Sequence, residues 1–316
     1  MHKRFVNHCT IHLSIIPDGP ILIKSGKEGA DPTKPDMEFV ETYHAGGRSI
    51  YLPGSSLKGA IRAHAERIVR TVGKETRTNS SLPWANDPLN DDYKYLKDQS
   101  TSDIYKLSSF TDQIFGNTSI ASRLRIEDAY PDKSIPLKLE ERNGVAIDRV
   151  FGSVAVGPFN YQVCTSGQFH TKIHLKNFTL GQLGLIGLVL RDLNDGWFGL
   201  GFAKSRGLGT VQVKLTQAVV QYPGCELKEG KIYAFGSDRK IWGVNSLLGA
   251  GELLETKEAD KYNFPKPDIQ YTECVSAESM DLNFGVKLNW LGDSKSGVPD
   301  LFTEAVKSWS QLLGDN

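Results

Sequence analysis

Cysteine is scarce in this chain and poorly spaced for chemistry: Cys9, Cys164, Cys225 and Cys274 are the four present, with no Cys-x-x-Cys pair among them. That spacing excludes a zinc ribbon and gives no disulfide framework, so isolated and mostly buried thiols are expected. Long apolar runs are missing as well. No stretch approaches the roughly 18 unbroken apolar residues of a membrane span, and the opening MHKRFVNHCTIHLSII enters a strand pattern without a signal-peptide cleavage site. A cytoplasmic protein with no membrane partner is the expectation. Net charge is absent too, with 37 Lys and Arg against 37 Asp and Glu, so composition alone makes no case for a polyanionic partner. The balance does drift: residues 1–221 carry 27 basic against 22 acidic side chains, and residues 222–316 carry 10 against 15. This permits a phosphate-binding face on the first part.

What is present is ordinary globular composition, 39% hydrophobic and 23% charged over 316 residues, enough for one large domain or two smaller ones. Between Phe5 and Ile16, Cys9, Ile11, Leu13 and Ile15 alternate with His8, Thr10, His12 and Ser14, which predicts a strand with one buried face. A long loop follows, and then Leu57, Ala60, Ile61, Ala65, Ile68 and Val69 fall at helical spacing, with Ser55 or Ser56 available as the cap. Residues 74–112 are polar and interrupted by proline, and read as an insertion with at most a short helix. Strands are predicted at Ser122–Tyr130, Gly167–Leu175 and Thr210–Gln217, and Thr179 with Gln182 forms a T-x-x-Q capping box for a helix through Leu193. The order β-α-β-β-α-β predicts an α+β, ferredoxin-like or RRM-like domain over residues 1–221, with one sheet face available. Residues 222–316 carry too little pattern to assign and read as a C-terminal extension.

Several segments carry chemistry of their own. In YLPGSSLKGAIRAHAERIVR, a Pro53-Gly54 turn runs straight into a helix, so free amides and a positive dipole end face outward. Ser55, Ser56 and Lys58, with Arg62 one turn on, can hold a phosphate there; the alternative is that Ser55 only caps its own helix. No Walker loop is formed, which excludes nucleotide hydrolysis. In GLGFAKSRGLG, the glycines Gly199, Gly201, Gly207 and Gly209 surround Lys204 and Arg206, a composition that brings backbone close to a polyanion. They follow a helix and lead into a strand, the reverse of a dinucleotide site. VAIDRVFGSVAVGPFNYQV alternates small and apolar residues about Gly157-Pro158, as a protruding hairpin does, within a segment of about residues 142–166. Arg123 and Arg125 flank Leu124 on a strand and are candidates for the open face. His8, His12, His170 and His174 share a face if their strands pair, and are expected to be hydrogen-bonded or ligand-contacting imidazoles in preference to metal ligands.

Taken in order, YLPGSSLKGAIRAHAERIVR, FGNTSIASRLRIEDAY, the hairpin segment RNGVAIDRVFGSVAVGPFNYQVCTSGQF and GLGFAKSRGLGTVQV resemble the RAMP superfamily. Within it they are most similar to the backbone subunits of type III CRISPR effector complexes, over about residues 5–217. That resemblance implies an antiviral ribonucleoprotein whose subunit binds guide crRNA, meets target RNA and packs against other effector subunits. It also implies that the hairpin is a thumb, with Phe151 intercalating and Arg142 and Arg149 holding phosphates; the alternative is a core Phe151. Family members that cut target RNA carry an acid in the loop between the first strand and the first helix. Here the loop offers Asp36, Asp31 and Glu38, taken in that order, and His44 is a possible general acid or a solvated side chain. The implied role of Asp36 is to hold Mg²⁺, or an activated water, for attack by a ribose 2′-hydroxyl. Some backbone subunits bind RNA without cutting it, and the superfamily's guide-processing endoribonucleases usually carry two such folds where one is detected here. A ferredoxin-like enzyme or adaptor with no nucleic-acid partner is the remaining alternative.

Overall fold

The alternation near the start of the chain becomes strand β1 (His8–Pro17), with Cys9, Ile11, Leu13 and Ile15 buried on one face and His8, Thr10 and His12 half-buried on the other. The structure is a computed structural model, and it describes residues 4–26, 35–44, 47–75, 82–89, 93–236 and 240–314. A short hairpin, β2 (Glu41–His44) with β3 (Gly47–Ile50), leads to helix α1 (Gly54–Val72). α1 forms because Leu57, Ile61, Ala65 and Val69 recur every fourth residue and bury one stripe. Its start departs from the expected serine cap. Pro53 occupies the N-cap position, the Gly54 amide donates to the Asp128 carboxylate at 2.8 Å, and Ser55 and Ser56 stay exposed.

The insertion is more ordered than its polarity predicts, containing α2 (Thr101–Leu107) and α3 (Phe110–Phe115). Each helix is opened by a serine that accepts the amide three residues on, Ser100 from Asp103 and Ser109 from Asp112, so local capping makes helices where apolar periodicity is weak. Next come β4 (Leu124–Ile126), β5 (Tyr130–Pro131), the long hairpin β6 (Lys138–Ile147) and β7 (Val154–Ser166), and β8 (Phe169–Lys176). Helix α4 (Leu180–Asn194) opens with the reciprocal Thr179–Gln182 box that the spacing predicts, and β9 (Val211–Tyr222) closes the motif. The sheet runs β4-β8-β1-β9 with every neighbour antiparallel, and α1 and α4 pack together over its apolar face. This is the ferredoxin-like arrangement that the order of elements predicts.

The C-terminal part continues this framework. β10 (Cys225–Lys228), β11 (Lys231–Ala234) and β12 (Ile241–Gly243) form a small sheet, and β13 (Ser246–Leu248) pairs with β14 (Ile269–Tyr271) around the short helices α5 (Ala250–Leu253) and α6 (Thr256–Lys261). After β15 (Glu278–Ser279), strand β16 (Val286–Leu291) adds to the main sheet beside β9, and α7 (Val298–Leu312) packs on α4. The contact is close: a β-carbon at Gly184 would lie 2.6 Å from the Ala305 carbonyl oxygen. Trp290, Val298 and Trp309 therefore share one core with Ile11, Leu57 and Leu183.

Candidate nucleic-acid interface

The register of β1 against β8 places His8 opposite Lys176, Thr10 opposite His174, His12 opposite Lys172 and Ser14 opposite His170. All lie on the face away from α1 and α4, so the four strand histidines do share a surface. His170 sits between the Ser14 hydroxyl at 3.0 Å and the Asp132 carboxylate at 2.9 Å. His174 repeats the pattern between Thr10 at 3.4 Å and Glu127 at 2.9 Å, and His8 reaches Gln221 at 3.4 Å. Three of the four expected imidazoles, His8, His170 and His174, are thus hydrogen-bonded. Burial lowers the His8 and His12 pKa values, and the neighbouring cations add to this. The His170 hydrogen bond, helped by Ser134, holds Asp132 down at about 2. Burial raises Glu127, but His174, Arg125 and Lys172 outweigh it and leave that carboxyl below its usual value.

The cations of this face are accessible. Among the described residues the Arg125 side chain, 68% exposed, is tied only to Glu127 at 3.0 Å, and the Lys172 side chain makes no hydrogen bond or ion pair. Lys172 carries no mark of its own in the sequence, although the period of β8 already places it between His170 and His174. A cavity of about 440 Å³ opens where this face meets the start of α1, lined by Gly54, Ser55, Lys58, Arg125, His174 and Lys176. Lys58 donates to Ser122 at 2.8 Å, and its pKa is lowered by burial and by Arg62. The Ser55 and Ser56 amides have no acceptor among the described residues, so the serines leave the helix end open.

Two arginines of the expected RNA set are used inside the protein. Arg62 donates to Glu66, Asp112 and the Gly116 carbonyl, pinning α1 to α3. Arg123 is 3% exposed, with its guanidinium 4.0 Å from the centre of the Tyr105 ring and a bond to the Asn177 carbonyl at 2.6 Å. It is off the open face because it precedes the first residue of β4, so the strand's alternation does not carry it outward with Arg125, and Tyr105 from the insertion and Phe264 from the extension close over it.

At the end of β1, residues 20–25 gather the remaining candidates. Ile21 pairs with Cys164 at the hairpin base, Lys24 pairs with Phe39, and the Leu22 carbonyl accepts the Phe202 amide. The acid-bearing loop, the hairpin and the glycine loop are thereby fixed to one strand. Asp36 is exposed beside the hairpin and accepts the Asn160 amide at 2.8 Å through Oδ2. Glu38 is half-buried, and Asp31 lies outside the described residues. Among the described residues no group of three His, Cys, Asp or Glu is placed to hold a metal ion. Mg²⁺ binds through one or two carboxylates and completes its shell with water and phosphate oxygens, so Asp36 fits as a single protein ligand.

The glycine loop departs from expectation in part. A β-carbon at Gly201 would meet the Leu22 carbonyl oxygen at 2.2 Å, and one at Gly209 would meet the Leu200 carbonyl oxygen at 2.2 Å, so these glycines admit the protein's own backbone. Only the tip faces open space: Lys204, Arg206 and Gly207 are exposed, with Arg206 over the Phe202 ring at 5.1 Å. The hairpin also turns elsewhere than at Gly157-Pro158, which lies within β7. Its tip is Asp148–Ser153, where the Asp148 carboxylate accepts the Val150 and Phe151 amides at 2.8 and 2.7 Å. Val150 and Phe151 project at 81% and 85% exposure, so Phe151 is no core residue; Arg149 is exposed beside them, and half-buried Arg142 lies along β6, 3.7 Å from Glu140. His44, in β2, stacks on the Tyr130 ring at 3.6 Å.

No helix among the described residues is long and apolar enough to cross a membrane. A search of curated proteins finds no match. The family model described as RAMP superfamily matches residues 17–212, from the last residue of β1 to the first two residues of β9 and so more than half of the chain. The chain therefore belongs to the RAMP superfamily, and that membership carries a CRISPR-associated, RNA-binding function.

Proposed function

We propose that this protein is a guide-RNA-binding backbone subunit of a type III CRISPR ribonucleoprotein, and that it cleaves complementary target RNA from the loop that carries Asp36. The observation that carries the reading is the open sheet face, where Lys172 has no ion pair among the described residues and Arg125 is exposed with Glu127 as its partner, together with a hairpin that projects Val150 and Phe151 into solvent. A strand of ribose-phosphate lies along the cations, with Lys58, Lys204 and Arg206 extending the track. The apolar tip enters the guide–target duplex and moves one nucleotide out of the stack. Asp36, held by the Asn160 amide midway along β7, then faces the displaced linkage. Asp36 would hold Mg²⁺ there, and the ion would neutralise phosphate charge. The 2′-hydroxyl attacks its own phosphate, the 5′-oxygen of the next nucleotide leaves, and the products are a 2′,3′-cyclic phosphate and a 5′-hydroxyl.

A second reading, a guide-binding subunit without catalysis, draws on the absence among the described residues of any group of three His, Cys, Asp or Glu placed to hold a metal ion. Cleavage by the assembled complex separates the two. With guide RNA, complementary target and Mg²⁺, Asp36→Ala is expected to abolish cutting while guide binding persists. Retained cutting in both Asp36→Ala and Asp31→Ala establishes the non-catalytic reading.

A further inference from the structure

Single-stranded RNA is usually gripped by phosphate contacts together with aromatic surfaces on which unstacked bases lie. The centre of this sheet has no Phe, Tyr or Trp ring for this: the outward positions of β1 and β8 are His, Thr, Ser and Lys, and three of the four imidazoles are held by side-chain hydrogen bonds. Aromatic rings occur instead at the sheet's edge. His44 is exposed and lies parallel to Tyr130, with 3.6 Å between ring centres and 9° between planes, and Tyr51 adds a near-parallel ring 6.0 Å from Tyr130. The Tyr130 hydroxyl donates to Asp128 at 3.4 Å, the same carboxylate that accepts the first amide of α1. One acid thus fixes the ring stack relative to the helix start.

Between the stack and the sheet lies a cavity of about 710 Å³, lined by His12, His44, Arg125, Tyr130, His170 and Lys172. That volume is in the range of sites that take a nucleotide-sized ligand. Its two cations face two acids: Glu127 is held by Arg125 and His174, and Asp128 accepts from Gly54 and Tyr130, which leaves Lys172 as the lining cation with no ion pair among the described residues. Arg125 also lines the cavity at the start of α1, so the two spaces are neighbours across one guanidinium.

We propose that His44 and Tyr130 form a base shelf, and that the cavity beneath takes one unstacked nucleotide of a single RNA strand, its base on His44 and its phosphate between Arg125 and Lys172. The proposal rests on the RNA-binding reading given above and adds a base-dependent site to it. It is tested with the purified chain, fluorescently labelled single-stranded decaribonucleotides, and matched decamers carrying abasic positions, read by anisotropy. His44 is exposed, so its replacement spares the core. His44→Ala is expected to weaken binding of the base-bearing strand about tenfold and to leave the abasic strand within about twofold. His44→Phe restores the stacking contact and returns affinity to within about twofold of wild type. Lys172→Ala weakens both strands alike. If His44→Ala discriminates base-bearing from abasic RNA as the wild type does, or weakens both strands equally, the shelf is overturned while the RNA-binding reading stands. If no strand binds to any variant, both are overturned.

Discussion

On β1 the covered face receives Cys9, Ile11, Leu13 and Ile15, and the open face receives His8, Thr10, His12 and Ser14, so one ten-residue strand serves two different solvents. The covered face is closed by α1, α4 and, through β16 and α7, by the C-terminal part of the chain. The open face keeps its imidazoles oriented by hydroxyls and carboxylates and leaves cations at the surface. Stability and binding thereby fall to alternate residues. Arg123 and Arg125 divide the same way for a different reason, since Arg123 lies just before β4 and is sealed among aromatic rings, whereas Arg125 within β4 reaches water.

The comparison can be broken most forcefully at Trp290, which is fully buried on β16. Trp290→Ala is expected to lower the unfolding free energy by about 3–5 kcal/mol, measured by denaturant titration, with RNA affinity of the folded fraction unchanged. Next is Asp268, whose carboxylate is buried where it accepts the Leu180 and Gly251 amides. Burial raises its pKa to about 7 despite those two bonds. The folded state holds this proton more tightly than the unfolded chain, so the stability from protonated Asp268 is full below about pH 4. It is lost as pH rises to about 7, a change on the order of 2–4 kcal/mol. Thermal unfolding of Asp268→Asn should show a flatter dependence over that window; an unchanged profile assigns the slope to other groups. Asp132, held at about 2, acts with the opposite sign, its contribution being present above about pH 4 and lost toward pH 2.

Smaller effects sharpen the contrast between the two arginines. Arg123→Ala is expected to cost about 2 kcal/mol of stability through the lost ring contact, and Arg125→Ala less than about 0.5 kcal/mol. RNA affinity should move the other way, falling for Arg125→Ala alone. Equal stability losses in the two variants would show that the faces are not separable in this manner.

Much of this was legible in the sequence, and the exceptions have physical causes. The alternation of β1 and β8 shows both faces at once, because a period of two sends every second residue to the same side, and the Thr179–Gln182 box marks the start of α4. The site of Arg123 was hidden because its partners, Tyr105 and Phe264, arrive from the insertion and the extension. The hairpin tip was misplaced at Gly157-Pro158 because the turn is made by Asp148, whose side chain bonds the next amides, with Gly152 at φ +67°. Strand β16 does carry a readable signal, since Val286, Leu288 and Trp290 alternate with Lys287 and Asn289. What the sequence does not disclose is that this strand joins the main sheet beside β9.

The central claim is that RNA lies on the open face, and the salt dependence of binding tests it most directly. Affinity of the purified chain for single-stranded RNA should fall linearly on a log–log plot against salt, and Arg125→Ala with Lys172→Ala should reduce the slope by about 1.4, the release expected for two lost phosphate contacts. A double variant whose slope and affinity match the wild type would contradict the account.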